Sequence, residues 1–132
     1  MDRSAADLVA EANATVPPLS PAAAADLLDD ESVRFVDIRE PQEWAREGTI
    51  PGAYRAPRGM LEFWVDPASP YYRPALDDGR RLILYCGSAW RSALAAASLH
   101  RMGVDVAHVA GGFSAWRAAG HPVAPYDEPP KA

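Results

Sequence analysis

Three short apolar runs, Val33 to Ile38, Arg81 to Tyr85 and Val104 to Val109, are separated by segments that read as helices. Each run is too short for a stable helix and rich in β-branched or aliphatic residues, so each predicts a buried strand. Leu82, Ile83 and Leu84 follow one another without polar alternation, the pattern of a strand covered on both faces. Strands that alternate with helices predict a parallel sheet, because parallel neighbours need crossover connections. The expected fold class is therefore α/β, with a central, mainly parallel sheet flanked by helices.

Capping and breaking residues place the helices. Ser4 with Asp7 three residues later predicts a capped helix whose face carries Leu8, Val9 and Ala12. Val16-Pro17-Pro18 ends it, and Ser20-Pro21 opens a second helix through Ala22 to Leu28. Pro41 to Glu47 makes two turns closed by Gly48, and Pro57 to Val65 predicts a further short helix. Asp66 to Asp78, with Pro67, Pro70 and Pro74, predicts a long surface loop. Ser92 to Met102 predicts a helix with Ala95, Leu99 and Met102 at core spacing, and Phe113 to Ala119 another, ended by Gly120 and Pro122. With 132 residues the chain can bury one real core. The expected organisation is a partly helical extension over residues 1–19, one domain over 20–124 and a flexible tail over 125–132, the Pro-rich stretch from Pro122 onward being read as loose.

Composition removes several functions. The net charge is −5 and no Lys/Arg run is present, so nucleic acid is not an expected partner. Cys86 is the single cysteine, which excludes an internal disulfide and a multi-thiolate metal site. His100, His108 and His121 lack ligand spacing, so no metal and no cofactor are expected. His100, fourteen residues beyond Cys86 and at the far end of a helix, is badly placed for a Cys–His hydrolase. Met1 to Pro18 lacks the unbroken apolar stretch of a secretory signal, and no segment is apolar enough to span a bilayer. A cytoplasmic protein without a membrane partner is the default expectation.

Cys86 stands where the strand Arg81 to Tyr85 gives way to a helix, through Gly87, Ser88, Ala89, Trp90, Arg91 and Ser92. Ligands of open α/β sheets bind at that carboxyl edge. A loop turning there into a helix N-terminus can aim several amides inward and hold an anion, here a thiolate. A thiol ionises near pH ~8.5, and making the thiolate the majority species at neutral pH takes roughly 2.7 kcal/mol of differential stabilisation. Inward amides together with Arg91 can supply it. The competing reading is a cysteine that merely fills space in the core.

Four blocks carry a resemblance. Val36-Asp37-Ile38-Arg39-Glu40-Pro41-Gln42-Glu43-Trp44, Gly48-Thr49-Ile50-Pro51-Gly52-Ala53, Cys86 to Ser92, and Gly111-Gly112-Phe113-Ser114-Ala115-Trp116 occur in that order. Together they resemble a single-domain rhodanese, a sulfurtransferase, over about residues 20 to 124. The resemblance implies a three-layer rhodanese-like fold and a double displacement. Cys86 attacks the outer sulfur of a small anionic donor such as thiosulfate, becomes a persulfide and passes the sulfur on. Loop residues Gly87, Ser88, Ala89, Trp90 and Ser92 would cradle the charged sulfur, with Arg91 placing the donor's sulfonate. With no second cysteine the acceptor has to be external, cyanide or a thiol, including that of a thioredoxin-like protein.

Departures from the family pattern sharpen the expectations. Ala89 stands where such loops often have glycine, so a left-handed backbone there would be strained. Thr49 replaces a common histidine and is read as structural, whereas Trp90 narrows the mouth. Asp37, Arg39 and Glu43 are expected to form a structural ion-pair group near the site. Arg58 is a candidate receiver of the anionic donor, with a solvated surface arginine as the alternative. Trp64, Tyr71 and Tyr72 are read as aromatic packing. Arg91 follows Cys86 by five positions, against six in cysteine phosphatases, which makes a phosphatase the weaker enzymatic alternative. A non-catalytic binding or sulfur-relay module on the same fold is the other.

Overall fold

The computed structural model describes residues 1–126. Its sheet contains β1 (Val33–Asp37), β2 (Tyr54–Arg55), β3 (Arg81–Tyr85) and β4 (Val106–His108), in the order β2-β1-β3-β4. All three pairings are parallel, and β1 lies alongside β3 with Val33 opposite Arg81 and Asp37 opposite Tyr85. The helices are α1 (Ala5–Thr15), α2 (Pro21–Ala25), α3 (Pro41–Glu47), α4 (Leu61–Val65), α5 (Trp90–Arg101) and α6 (Gly112–Ala118). Among the described residues none is long and apolar enough to cross a membrane.

Residues two apart on a strand share a face, and β3 shows the consequence. Leu82 and Leu84 join Val36, Leu61, Val65, Ala95, Ala96 and Leu99 in a core beneath α4 and α5. Ile83 and Tyr85 face the other way, into a core with Phe35, Ala24, Phe113 and Trp116 beneath α2 and α6. The uninterrupted apolar run therefore serves two cores at once, and the three-layer α/β expectation holds. A third cluster, Val9, Ala12, Ala93 and Ala97, fastens α1 to the outer side of α5.

Several boundaries differ from the sequence expectation. The helix placed at Ser92 begins at Trp90, so Trp90 and Arg91 belong to its first turn rather than to the loop. The segment after Pro57 splits into a 3-10 turn, Arg58–Met60, and α4. The second helix stops at Ala25, and the long loop contains a 3-10 turn at Pro74–Leu76. The two-residue β2 was not expected, because Tyr54-Arg55 is too short to show a period. The stretch after Pro122 is not loose where it is described. Trp116 Nε1 donates to the Pro122 carbonyl at 2.7 Å, and Thr49 and Ala124 exchange backbone hydrogen bonds at 2.9 and 2.8 Å. The rest of the expected flexible tail, residues 127–132, lies outside the described residues.

Candidate active site

The strand β3 ends at Tyr85, and Cys86 leaves the sheet directly above the core of Val36, Ile38 and Leu84. Its side chain is 1% exposed, yet its surroundings are not uniformly apolar. The amide of Ala89 donates to Sγ at 3.2 Å and that of Ser92 at 3.4 Å. The Ser92 hydroxyl oxygen lies 3.6 Å from the same sulfur. The expected inward turn of the loop is thus made by two amides, one before the helix and one within its first turn.

The turn demands an unusual backbone. Ala89 adopts φ 78°, ψ 2°, the left-handed conformation, and is the one non-glycine residue with positive φ among those described. An L-residue pays roughly 1–2 kcal/mol there. The expected strain at this position is present, and it is what aims the Ala89 amide at the sulfur.

The loop is held from behind by α6. The amide of Phe113 donates to the Cys86 carbonyl at 2.7 Å and that of Ser114 to the Gly87 carbonyl at 3.1 Å. Gly112 makes this possible: a Cβ there would lie 2.6 Å from the Cys86 oxygen and 2.7 Å from the Gly87 oxygen. Its φ of 62° also favours glycine.

Arg91 projects from the first turn of α5 and meets Glu43 in two parallel bonds of 2.8 Å each. That contact holds the Glu43 carboxyl down to about 2 and pushes the Arg91 guanidinium further up. Glu43, expected in a structural group with Asp37 and Arg39, belongs instead to the mouth of the cysteine loop. Asp37 and Arg39 do form a buried group: the carboxylate accepts from the Arg39 amide, Nε and Nη2 at 2.9–3.0 Å and from the Tyr85 hydroxyl at 2.9 Å. Arg39 also lies 4.2 Å from the Phe113 ring centre, which ties this group to the base of α6. Burial beside Asp37 pushes the Tyr85 phenol well up, so it stays protonated as a donor.

The remaining expected residues fall in different places. Ser88 and Trp90 form the exposed rim, and Trp90 keeps half of its surface in solvent. Arg58 binds Glu62 at 2.9 Å and lines a cavity of about 440 Å³ between α1 and α5, with Glu62 in turn accepting from Ser98. That setting differs from the cysteine loop. Trp64 packs on the core beneath Arg73, whereas Tyr71 is a surface ring.

His108 was missed. Its Nδ1 lies 3.1 Å from the Ser92 hydroxyl and its Nε2 2.8 Å from Asn13 Oδ1, so α1 reaches the cysteine loop through it. Burial pulls its imidazole down to about 4, which keeps it neutral at physiological pH. The available signal was a histidine at the carboxyl end of a strand, the edge where Cys86 also sits.

The comparisons with known proteins agree with this architecture. The Rhodanese family, described as rhodanese-like domain, matches residues 20–119. A protein of Allochromatium vinosum called sulfurtransferase is 35% identical over 98 residues, covering 74% of this chain and 83% of its own. An uncharacterized Synechocystis protein is 34% identical over 105 residues, 79% of this chain; the match spans about half of that relative, 54%. Among solved structures, a Rhodopseudomonas palustris protein of unknown function, described as a possible tyrosine phosphatase, superposes with a TM-score of 0.90. It is 43% identical, over 94% of this chain and 96% of its own. A thiosulfate sulfurtransferase from Pseudomonas aeruginosa superposes with a TM-score of 0.68 at 28% identity, over 83% of this chain and 19% of that one. Sheet order, cysteine loop and sequence matches converge: the chain belongs to the rhodanese-like domain family.

Proposed function

We propose that this protein is a sulfurtransferase in which Cys86 takes sulfane sulfur from an anionic donor such as thiosulfate and delivers it to an external acceptor. The cysteine sulfur attacks the outer sulfur of the donor, the donor's S–S bond breaks, and sulfite leaves with the bonding pair. A cyanide or thiolate acceptor then attacks the outer sulfur of the persulfide and regenerates the Cys86 thiolate. The observation that carries this reading is the convergence of the Ala89 and Ser92 amides on Sγ, a setting that stabilises negative charge on sulfur. The relatives called sulfurtransferase support it. Cys86 is the single cysteine, so no internal thiol resolves the persulfide, and a small thiol or a thioredoxin-like dithiol fits the acceptor's part.

Arg91 would place the donor's sulfonate, and to do so it has to exchange Glu43 for the ligand. That occupied arginine and the 1% exposure of Cys86 favour a second reading, a relay module that loads sulfur but turns thiosulfate over slowly. The phosphatase suggestion attached to the Rhodopseudomonas protein meets a cradle one residue shorter than such enzymes use, with its arginine already paired.

Intact mass after exposure to thiosulfate tests the proposal. The native chain gains one sulfur atom and Cys86→Ser gains none; adding cyanide removes the sulfur as thiocyanate. Loading without thiocyanate turnover selects the relay module. Hydrolysis of p-nitrophenyl phosphate with no sulfur gain would overturn both readings.

A further inference from the structure

A line of hydrogen bonds runs from α1 to the cysteine sulfur: Asn13 Oδ1, His108 Nε2 and Nδ1, Ser92 Oγ, Cys86 Sγ, with separations of 2.8, 3.1 and 3.6 Å. Its outer end, Asn13, lies before residue 20, where the family match begins. Ser92, His108 and Cys86 are all at most 1% exposed, so water does not compete for these contacts.

The direction of the line follows from its outer end. An amide oxygen only accepts, so Nε2 carries the imidazole proton. A neutral imidazole then offers Nδ1 as an acceptor, and the Ser92 hydroxyl proton points to it. The hydroxyl consequently turns a lone pair towards Sγ. It can accept from a thiol but cannot donate to a thiolate.

We propose that Asn13 and His108 are positioning residues that turn the Ser92 hydroxyl away from donating to Cys86, so that in the resting protein this line favours the thiol over the thiolate. The amides of Ala89 and Ser92 pull the other way, and the reactivity of the sulfur is the balance of the two. Low basicity of the buried His108 supports this, because it keeps the imidazole in its neutral, accepting form. The charged groups at the sulfur are Arg91 from α5 and, paired with it, Glu43 from α3; neither belongs to the line. The helix outside the matched segment thereby restrains the nucleophile. The proposal rests on Cys86 being the reacting sulfur.

Alkylation by iodoacetamide at pH 7 reads the thiolate directly and needs no sulfur transfer. Long-range proton–nitrogen correlation reads the His108 tautomer in the native protein. Native His108 carries its proton on Nε2. Asn13→Ala releases the tautomer, lets Nδ1 donate to Ser92 and raises the alkylation rate roughly three- to tenfold, the effect of one neutral hydrogen bond. Ser92→Ala reacts no more slowly than the native chain, and adding Asn13→Ala to it changes nothing further. A proton on Nδ1 in the native protein, an Asn13→Ala rate equal to native, or slower alkylation of Ser92→Ala would each overturn the proposal. Absence of thiosulfate loading alongside the expected alkylation pattern would instead overturn the sulfurtransferase reading and leave this one standing.

Discussion

Ala89 concentrates the cost of building this site in one residue. Its left-handed backbone turns an amide onto Sγ, and a glycine would hold the same conformation without the Cβ clash. Ala89→Gly is expected to raise stability by about 0.5–1 kcal/mol, the relief of strain exceeding the extra freedom of the unfolded chain, as measured by urea denaturation. Sulfur loading should persist in that variant, since the amide stays in place. Glu43 presents the opposite case, a residue whose removal weakens a contact and improves binding. Glu43→Gln should lower the KM for thiosulfate about fivefold, corresponding to about 1 kcal/mol, while kcat stays within twofold. A higher KM would show that Glu43 orients Arg91 for the donor rather than competing with it. The strain at Ala89 was legible through the family resemblance, because loops of that family often carry glycine at this position and this chain carries alanine. The pairing of Glu43 with Arg91 was not, since the two are 48 positions apart and Glu43 was read with its near neighbours Asp37 and Arg39.

At the level of elements, the cysteine loop depends on two helices, both of which meet it with their N-terminal turns. The helix α5 contributes the Ser92 amide, and α6 holds the loop carbonyls with its first free amides, an arrangement that satisfies donors every helix start leaves open. Gly112, the first residue of α6, is where that helix packs against the loop. Gly112→Ala should cost more than about 3 kcal/mol, because the new Cβ meets two backbone oxygens that cannot move without releasing the loop. Thermal unfolding and sulfur loading measured together check this: the expected result is a lower Tm with loading lost. Retained loading at native Tm would mean that the loop tolerates displacement. The strand β3 was readable because burial on both faces leaves an unbroken apolar signal in Leu82, Ile83 and Leu84, and β1 because Val33, Phe35, Val36 and Ile38 are short, strand-favouring and apolar around Arg34 and Asp37. The short β2 and the early start of α5 were not, since two residues show no period and Ala89, the residue before the helix, has no capping side chain to announce it.

Across the whole molecule, buried titratable groups make stability depend on pH. His108 folds with its imidazole pulled from 6.5 down to about 4, so the unfolded chain binds a proton there that the folded one does not. Its contribution is complete above pH ~6.5 and is lost as pH falls towards about 4, amounting to about 3 kcal/mol at most. Glu43, held at about 2, extends the loss through the range from 4.5 down to about 2. Urea midpoints should therefore decline between pH 6.5 and 4 in the native chain and decline less in His108→Phe. Equal slopes in the two would mean that His108 is not buried as described. Neither effect shows in the composition, where a histidine is only a histidine until the fold surrounds it.

The order of the strands has one further outcome. Both borders of the sheet are stubs, two residues of β2 on one side and three of β4 on the other, the latter flanked on its outer edge by Leu19, which bridges to Val109. A foreign strand seeking to extend the sheet would find almost no row of vacant amides and carbonyls to copy. Protection from edge-to-edge aggregation thus comes from brevity at the margins, with the charged Arg55 on one border and Pro17-Pro18 beside the other.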